Sequence, residues 1–131
     1  MDRLLIGSRR ALAALALAAG TSLALPAAAA DAAHGKAVFT AQCASCHSPA
    51  RNGPTILGPT LFGVVGRPAA SVKGFVYSSG MKAAGFVWSN DRLRAYLPAP
   101  RDLVPGTHMS YAGLKNAGQL DDLIAYLDTL K

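Results

Sequence analysis

Along the chain the apolar residues change pattern several times. Residues 11–25 are almost wholly Ala and Leu, and Pro26 breaks the run. The clearest periodic stretch is Gln119–Leu130, where Leu120, Leu123, Ile124, Leu127 and Leu130 recur at the 3.6-residue spacing of an amphipathic helix. A first helix over Ala33–Ala44 carries Val38 on its apolar side with Phe39 beside it. Two short helices follow in mid-chain: Ser79–Ala84, closed by Gly85, and Asp91–Leu97, capped by Ser89 or Asn90 and stopped by Pro98. Arg51–Arg67 holds Gly53, Pro54, Gly58, Pro59, Gly63 and Gly66, which excludes a long helix or a buried strand there. Pro98–Gly106 reads as a broken, turn-rich passage. No repeat and no linker marks a second domain, so the expectation is an all-α fold of short helices and Gly/Pro-rich loops around a small core.

The Ala/Leu run belongs to a leader. Met1–Arg10 has three Arg against one Asp, and Ala27–Ala30 supplies an A-x-A pattern ahead of Asp31. A basic start, an apolar middle and small residues at the exit describe a secretory signal peptide. Residues 1–30 are therefore expected to be cleaved, leaving 31–131 as one domain of 101 residues. Ser8-Arg9-Arg10 also fits part of a twin-arginine signal. Left uncleaved, Ala11–Ala30 would be just long enough for an anchor, but Pro26 and the A-x-A end favour cleavage. Removing the leader lowers the net charge from +6 to +4, with ten Lys and Arg against six Asp and no Glu. That balance suits an acidic protein surface and is thin for nucleic acid.

Two cysteines carry the chemistry. Cys43-Ala44-Ser45-Cys46-His47 is the attachment signature of a c-type haem. Three residues apart on a helical turn, both sulfurs face one side and can add to two porphyrin vinyl groups. The next residue, His47, then projects its imidazole at the iron with little further entropic cost. A structural zinc site would need four ligands, yet only His34 and His108 remain, without zinc spacing. A redox dithiol would be expected beside a βαβ pattern, and a plain disulfide would leave His47 unexplained. The sixth iron ligand must be Met, His, Lys or nothing. Of Met81 and Met109, Met109 sits in Pro105-Gly106-Thr107-His108-Met109, an extended segment able to cross to the ring. Met81 falls in a short helix, where packing is the more usual role.

The stretches Gly35-Lys36-x-x-Phe39, Cys43–His47, Gly58-Pro59-x-Leu61-x-Gly63-x-x-Gly66-Arg67, Gly74-Phe75-x-Tyr77, Trp88, Tyr96-Leu97, Pro105-Gly106-Thr107-x-Met109, Ala112–Lys115 and Asp122–Leu127 follow in order. With them the sequence resembles a class I cytochrome c of the mitochondrial type, in its soluble bacterial form. The resemblance spans Gly35 to Lys131. It implies thioethers from Cys43 and Cys46, and His47 and Met109 as axial ligands of one haem c. It further implies that the Pro59 carbonyl accepts from His47 Nδ1–H and that Tyr77 and Trp88 bond a haem propionate, with Arg67 near it. Thr107 would serve the other propionate, and Tyr96 would lie beside the Met109 sulfur. Gly35 and Phe39 are expected to pack against Leu123 and Tyr126.

The implied function is a periplasmic one-electron carrier, not an enzyme, since His/Met ligation leaves no open position on iron. Its partners would be respiratory or photosynthetic membrane complexes, and it would act as a monomer. The alternative is a haem enzyme or gas sensor with a displaceable sixth ligand. Two departures stand out. Met81 replaces a frequent Asn, and the lysine ring of mitochondrial members is thinned to Gln42, Ile56, Arg101, His108, Lys115 and Asn116.

Overall fold

The computed structural model describes residues 28–131. The segment read as a signal peptide thus lies almost wholly outside the described residues. Five helices follow in order: α1 Ala32–Gln42, α2 Ser79–Ala83, α3 Asn90–Tyr96, α4 Pro100–Leu103 and α5 Ala117–Asp128. Among the described residues the one extended pairing is an isolated antiparallel bridge between Pro68 and Val87, so the architecture is all-α.

Short polar side chains set the helix starts. Asp31 accepts from the amides of Ala33 and His34, Ser78 from Met81, and Ser89 from Arg92, satisfying donors that a helix start leaves free. Ser89, not Asn90, is therefore the cap of α3. Asn116 accepts from Gln119, so α5 starts two residues before its apolar period shows. The passage expected to be irregular, Pro98–Gly106, contains α4. Pro100 opens it, where a missing N–H costs nothing and the fixed φ already suits a helix.

The core is the pairing of α1 with α5. Phe39 meets Tyr126 with ring centroids 5.5 Å apart. Val38, Leu120, Ile124 and Leu127 are buried around Leu123, which is 1% exposed. Gly35 lies where α1 presses on α5, and a Cβ there would run into the Asp122 carbonyl and the Tyr126 Cβ. Helix α3 adds Leu93 and Tyr96 to the same apolar cluster.

Asp122 fastens the start of α1 to α5. Its Oδ1 accepts the Asp31 amide at 2.6 Å, and its Oδ2 lies 2.6 Å from His34 Nδ1. The Asp31 amide first, and the His34 bond second, hold this carboxyl below its ordinary value of 3.8. A carboxyl with a lowered folded-state pKa contributes stability that is complete above its unfolded value and is lost as pH falls through the folded value. Asp122→Asn is therefore expected to flatten the acid limb of a melting-temperature profile below about pH 4. A variant curve running parallel to wild type throughout that limb would refute the fastening.

Candidate functional site

The site grows from the end of α1. The Cys43 amide still donates to the Phe39 carbonyl, and then the chain tightens. Cys46 and His47 both donate their amides to the Cys43 carbonyl, at 3.0 and 2.9 Å. This compact turn brings Cys43, Cys46 and His47 to a single cavity of about 560 Å³ with a mainly apolar lining. That volume lies in the range of cofactor sites. Burial, reinforced by the neighbouring Cys46, pushes the Cys43 thiol up to about 11.

His47 is held by two features of the following loop. Its Nδ1 lies 2.8 Å from the Pro59 carbonyl, which leaves Nε2 free for a metal. Gly58 lies against the ring so closely that any Cβ would overlap Cε1 and Nδ1. The Gly58 amide is in turn pinned to the Cys46 carbonyl at 2.9 Å. Burial lowers the pKa of His47 against the opposing pull of the Pro59 carbonyl, and Arg67 lowers it further. The neutral imidazole is the form that ligates.

The loop after α4 brings the sulfur. Tyr96 donates its hydroxyl to Met109 Sδ at 3.4 Å and lies 3.2 Å from Thr107 Oγ1. Thr107 Oγ1 also accepts the Met109 amide at 3.3 Å. Burial raises the pKa of Tyr96, with the Thr107 bond acting the other way, so the phenol keeps the proton it donates.

All ten residues singled out from the sequence line this cavity: Cys43, Cys46, His47, Pro59, Arg67, Tyr77, Trp88, Tyr96, Thr107 and Met109. Their hydrogen bonds differ in kind. Arg67 donates to the Phe62 and Thr60 carbonyls at 2.8 and 2.9 Å, so its guanidinium braces the loop it closes. Burial lowers its pKa while Tyr77 acts to raise it. Tyr77 accepts the Val72 amide at 3.2 Å and sets its ring edge-on to Phe75. Trp88, 8% exposed, is wedged edge-on between Phe86 and Tyr96.

The lining also holds residues that sequence reasoning did not place there. Ser78 caps α2 from a buried position, and Phe75 and Tyr111 add aromatic surface. Met81, by contrast, is the other methionine that the sequence makes available to the site, and it lines the cavity together with Met109. Only tertiary packing assembles this set; the aromatic Tyr111 two residues after Met109 was the one available local signal.

Among the described residues no three His, Cys, Asp or Glu side chains gather as a site for a bare ion. The donor set is one imidazole, thioether sulfur and two thiols around apolar space. It fits a ring-borne metal attached through sulfur.

The cytochrome c family profile matches residues 32–131. The chain is 42% identical over 101 residues to cytochrome c of Euglena viridis, covering 77% of this chain and 98% of that protein. It is 42% identical over 102 residues to cytochrome c2 of Blastochloris viridis, covering 78% and 80%. The solved structure of cytochrome cH from Methylobacterium extorquens superposes with a TM-score of 0.69 at 40% identity, over 76% of this chain and 98% of that one.

Proposed function

This chain belongs to the cytochrome c family and carries covalently attached haem c, and from that premise we propose that it is a periplasmic electron carrier with His/Met-ligated iron. The observation that carries the reading is the convergence of His47, with its Nε2 free, and Met109, with its sulfur oriented by Tyr96, on one cavity bounded by both cysteines. When bound, the haem supplies an iron that gains and loses one electron between its ferric and ferrous states.

The chain's own part is to hold that site still. Cys43 and Cys46 fasten the ring, and Pro59 and Gly58 fix the orientation of His47. Tyr96 and Thr107 hold Met109 in place. Trp88, Leu93 and Leu97 exclude water from the interior. Met109, as the residue that would hold the iron opposite His47, would leave nowhere for substrate to bind, and outer-sphere transfer needs no catalytic acid or base. The test is spectroscopic. The ferric protein is expected to show a far-red sulfur-to-iron charge-transfer band, and the ferrous protein to exclude carbon monoxide. A missing band with carbon monoxide bound would favour an enzyme or sensor instead.

Export fits the start of α1. Cleavage between Ala30 and Asp31 would turn the Asp31 amide, 2.6 Å from Asp122 Oδ1, into an ammonium facing a carboxylate. N-terminal sequencing of the secreted protein is expected to begin at Asp31.

Partner docking would use the face around Gln42, Ile56, Arg101, His108, Lys115 and Asn116, all exposed. Only Arg101 and Lys115 carry fixed positive charge there, and Lys115 donates its ammonium to the Pro98 carbonyl. Charge steering should accordingly be weak. Transfer rates to a respiratory or photosynthetic membrane complex are expected to change by less than about tenfold between low and high salt. A fall of several decades in a stopped-flow series would contradict this.

A further inference from the structure

Between Met109 and Leu114 the chain follows the solvent-facing rim of the cavity with little hydrogen bonding to hold it. At its two ends the Met109 amide donates to Thr107 Oγ1 and the Leu114 amide to the Leu97 carbonyl, at 3.3 and 3.0 Å. Among the described residues, no backbone amide or carbonyl of Ser110, Tyr111, Ala112 or Gly113 is hydrogen-bonded within the protein. Within the described residues these four make one hydrogen bond in all. Tyr111 donates its hydroxyl to Gln42 Oε1 at 3.0 Å.

The position of that bond gives it meaning. Gln42 is the last residue of α1 and directly precedes Cys43. It lines the cavity at its exposed rim, as do His108 and Ser110. The bond therefore ties the segment just after Met109 to the segment just before the cysteine turn. A stretch without a backbone ladder is where local opening is easiest. Its opening equilibrium is set by that hydrogen bond together with the packing of Met109 and Tyr111 against the core.

We propose that the Tyr111–Gln42 hydrogen bond is a latch that holds the Met109 loop closed at the cavity rim and sets how often the sixth iron position opens to outside ligands. Tyr111 is a positioning residue, acting through Met109, and the inference rests on Met109 being the iron's sixth ligand. Gln42 has the second half of the role, as the acceptor on a helix end that cannot follow the loop outward.

The experiment uses the ferric holoprotein and imidazole as the probe ligand. At saturating imidazole the binding rate reports loop opening. Tyr111→Phe keeps the ring and loses the donor; Gln42→Met keeps the length and loses the acceptor. Each is expected to speed opening about fivefold, the ratio that loss of one ordinary hydrogen bond produces. The double variant should open no faster than either single one, and Gln42→Glu, which keeps an acceptor, should stay near wild type. Hydrogen exchange should quicken at the Met109 and Leu114 amides and stay unchanged at Leu123. Unchanged rates in either single variant, or additive effects in the double, overturn the latch. A wild-type protein without the sulfur-to-iron band overturns the ligand reading and the gate with it, whereas a present band with unchanged rates overturns the latch alone.

Discussion

Met109→Ala is expected to abolish the far-red charge-transfer band of the ferric protein and to open the ferrous iron to carbon monoxide, whereas Met81→Ala should do neither. Proximity does not separate the two methionines, because both line the cavity. Orientation does. The Met109 sulfur accepts the Tyr96 hydroxyl at 3.4 Å, which takes up one lone pair and leaves the other free for a metal. Its amide is braced on Thr107, itself bonded to Tyr96. Met81 instead lies within α2, a five-residue helix capped by Ser78, where its thioether fills space against the core. Losing the Met109 thioether should also lower the reduction potential, since that ligand favours ferrous iron. A Met81 variant that loses the band while the Met109 variant retains it would reverse the assignment.

The second large effect concerns stability. Gly35→Val should destabilise the fold by about 3 kcal/mol, the upper part of the range for overpacking a tight contact. For a domain of this size that corresponds to a melting temperature lower by about 10–20 °C. The milder Gly35→Ala makes the reasoning sharper. Helix propensity alone would have it gain about 1 kcal/mol in the interior of α1. Steric contact predicts a loss, because a Cβ would overlap the Asp122 carbonyl, a backbone atom that cannot rotate away. Thermal unfolding of the alanine variant decides the sign. An increase in melting temperature would mean that α1 and α5 separate at little cost.

What could be read in advance was what short segments encode. Cys43–His47 fixes its chemistry within five residues, and the α5 leucines repeat their period often enough to be seen directly. The start of α3 was readable to within one residue, Ser89 or Asn90, and the hydrogen bond to the Arg92 amide selects Ser89. Helix α4 was missed because four residues carry no period and prolines on either side suggest a break. Ala70 adopts φ 56°, a left-handed conformation that costs a residue with a Cβ about 1–2 kcal/mol, and no local feature announces it. The remainder depends on partners far apart along the chain. Asp122 meets Asp31 across 91 positions and Tyr111 meets Gln42 across 69. The resemblance to a known family gave roles for Arg67, but its pairing with the carbonyls of Thr60 and Phe62 is visible only once the loop is folded.

The pairing of α1 with α5 has a consequence in time as well as in space. A chain that is delivered from its N-terminus, by a ribosome or through a membrane pore, exposes α1 first and α5 last. Until Ala117–Asp128 emerges, Val38 and Phe39 lack their main apolar cover, and the loop that must close around the intervening residues has no second end. Closing so long a loop costs conformational entropy before any packing compensates for it. The thiols of Cys43 and Cys46, just past the end of α1, therefore lack that packing until α5 arrives. Docking of α5 completes the packing that leaves both cysteines half-buried at the cavity, so the order of synthesis itself provides an interval for covalent chemistry at those two sulfurs.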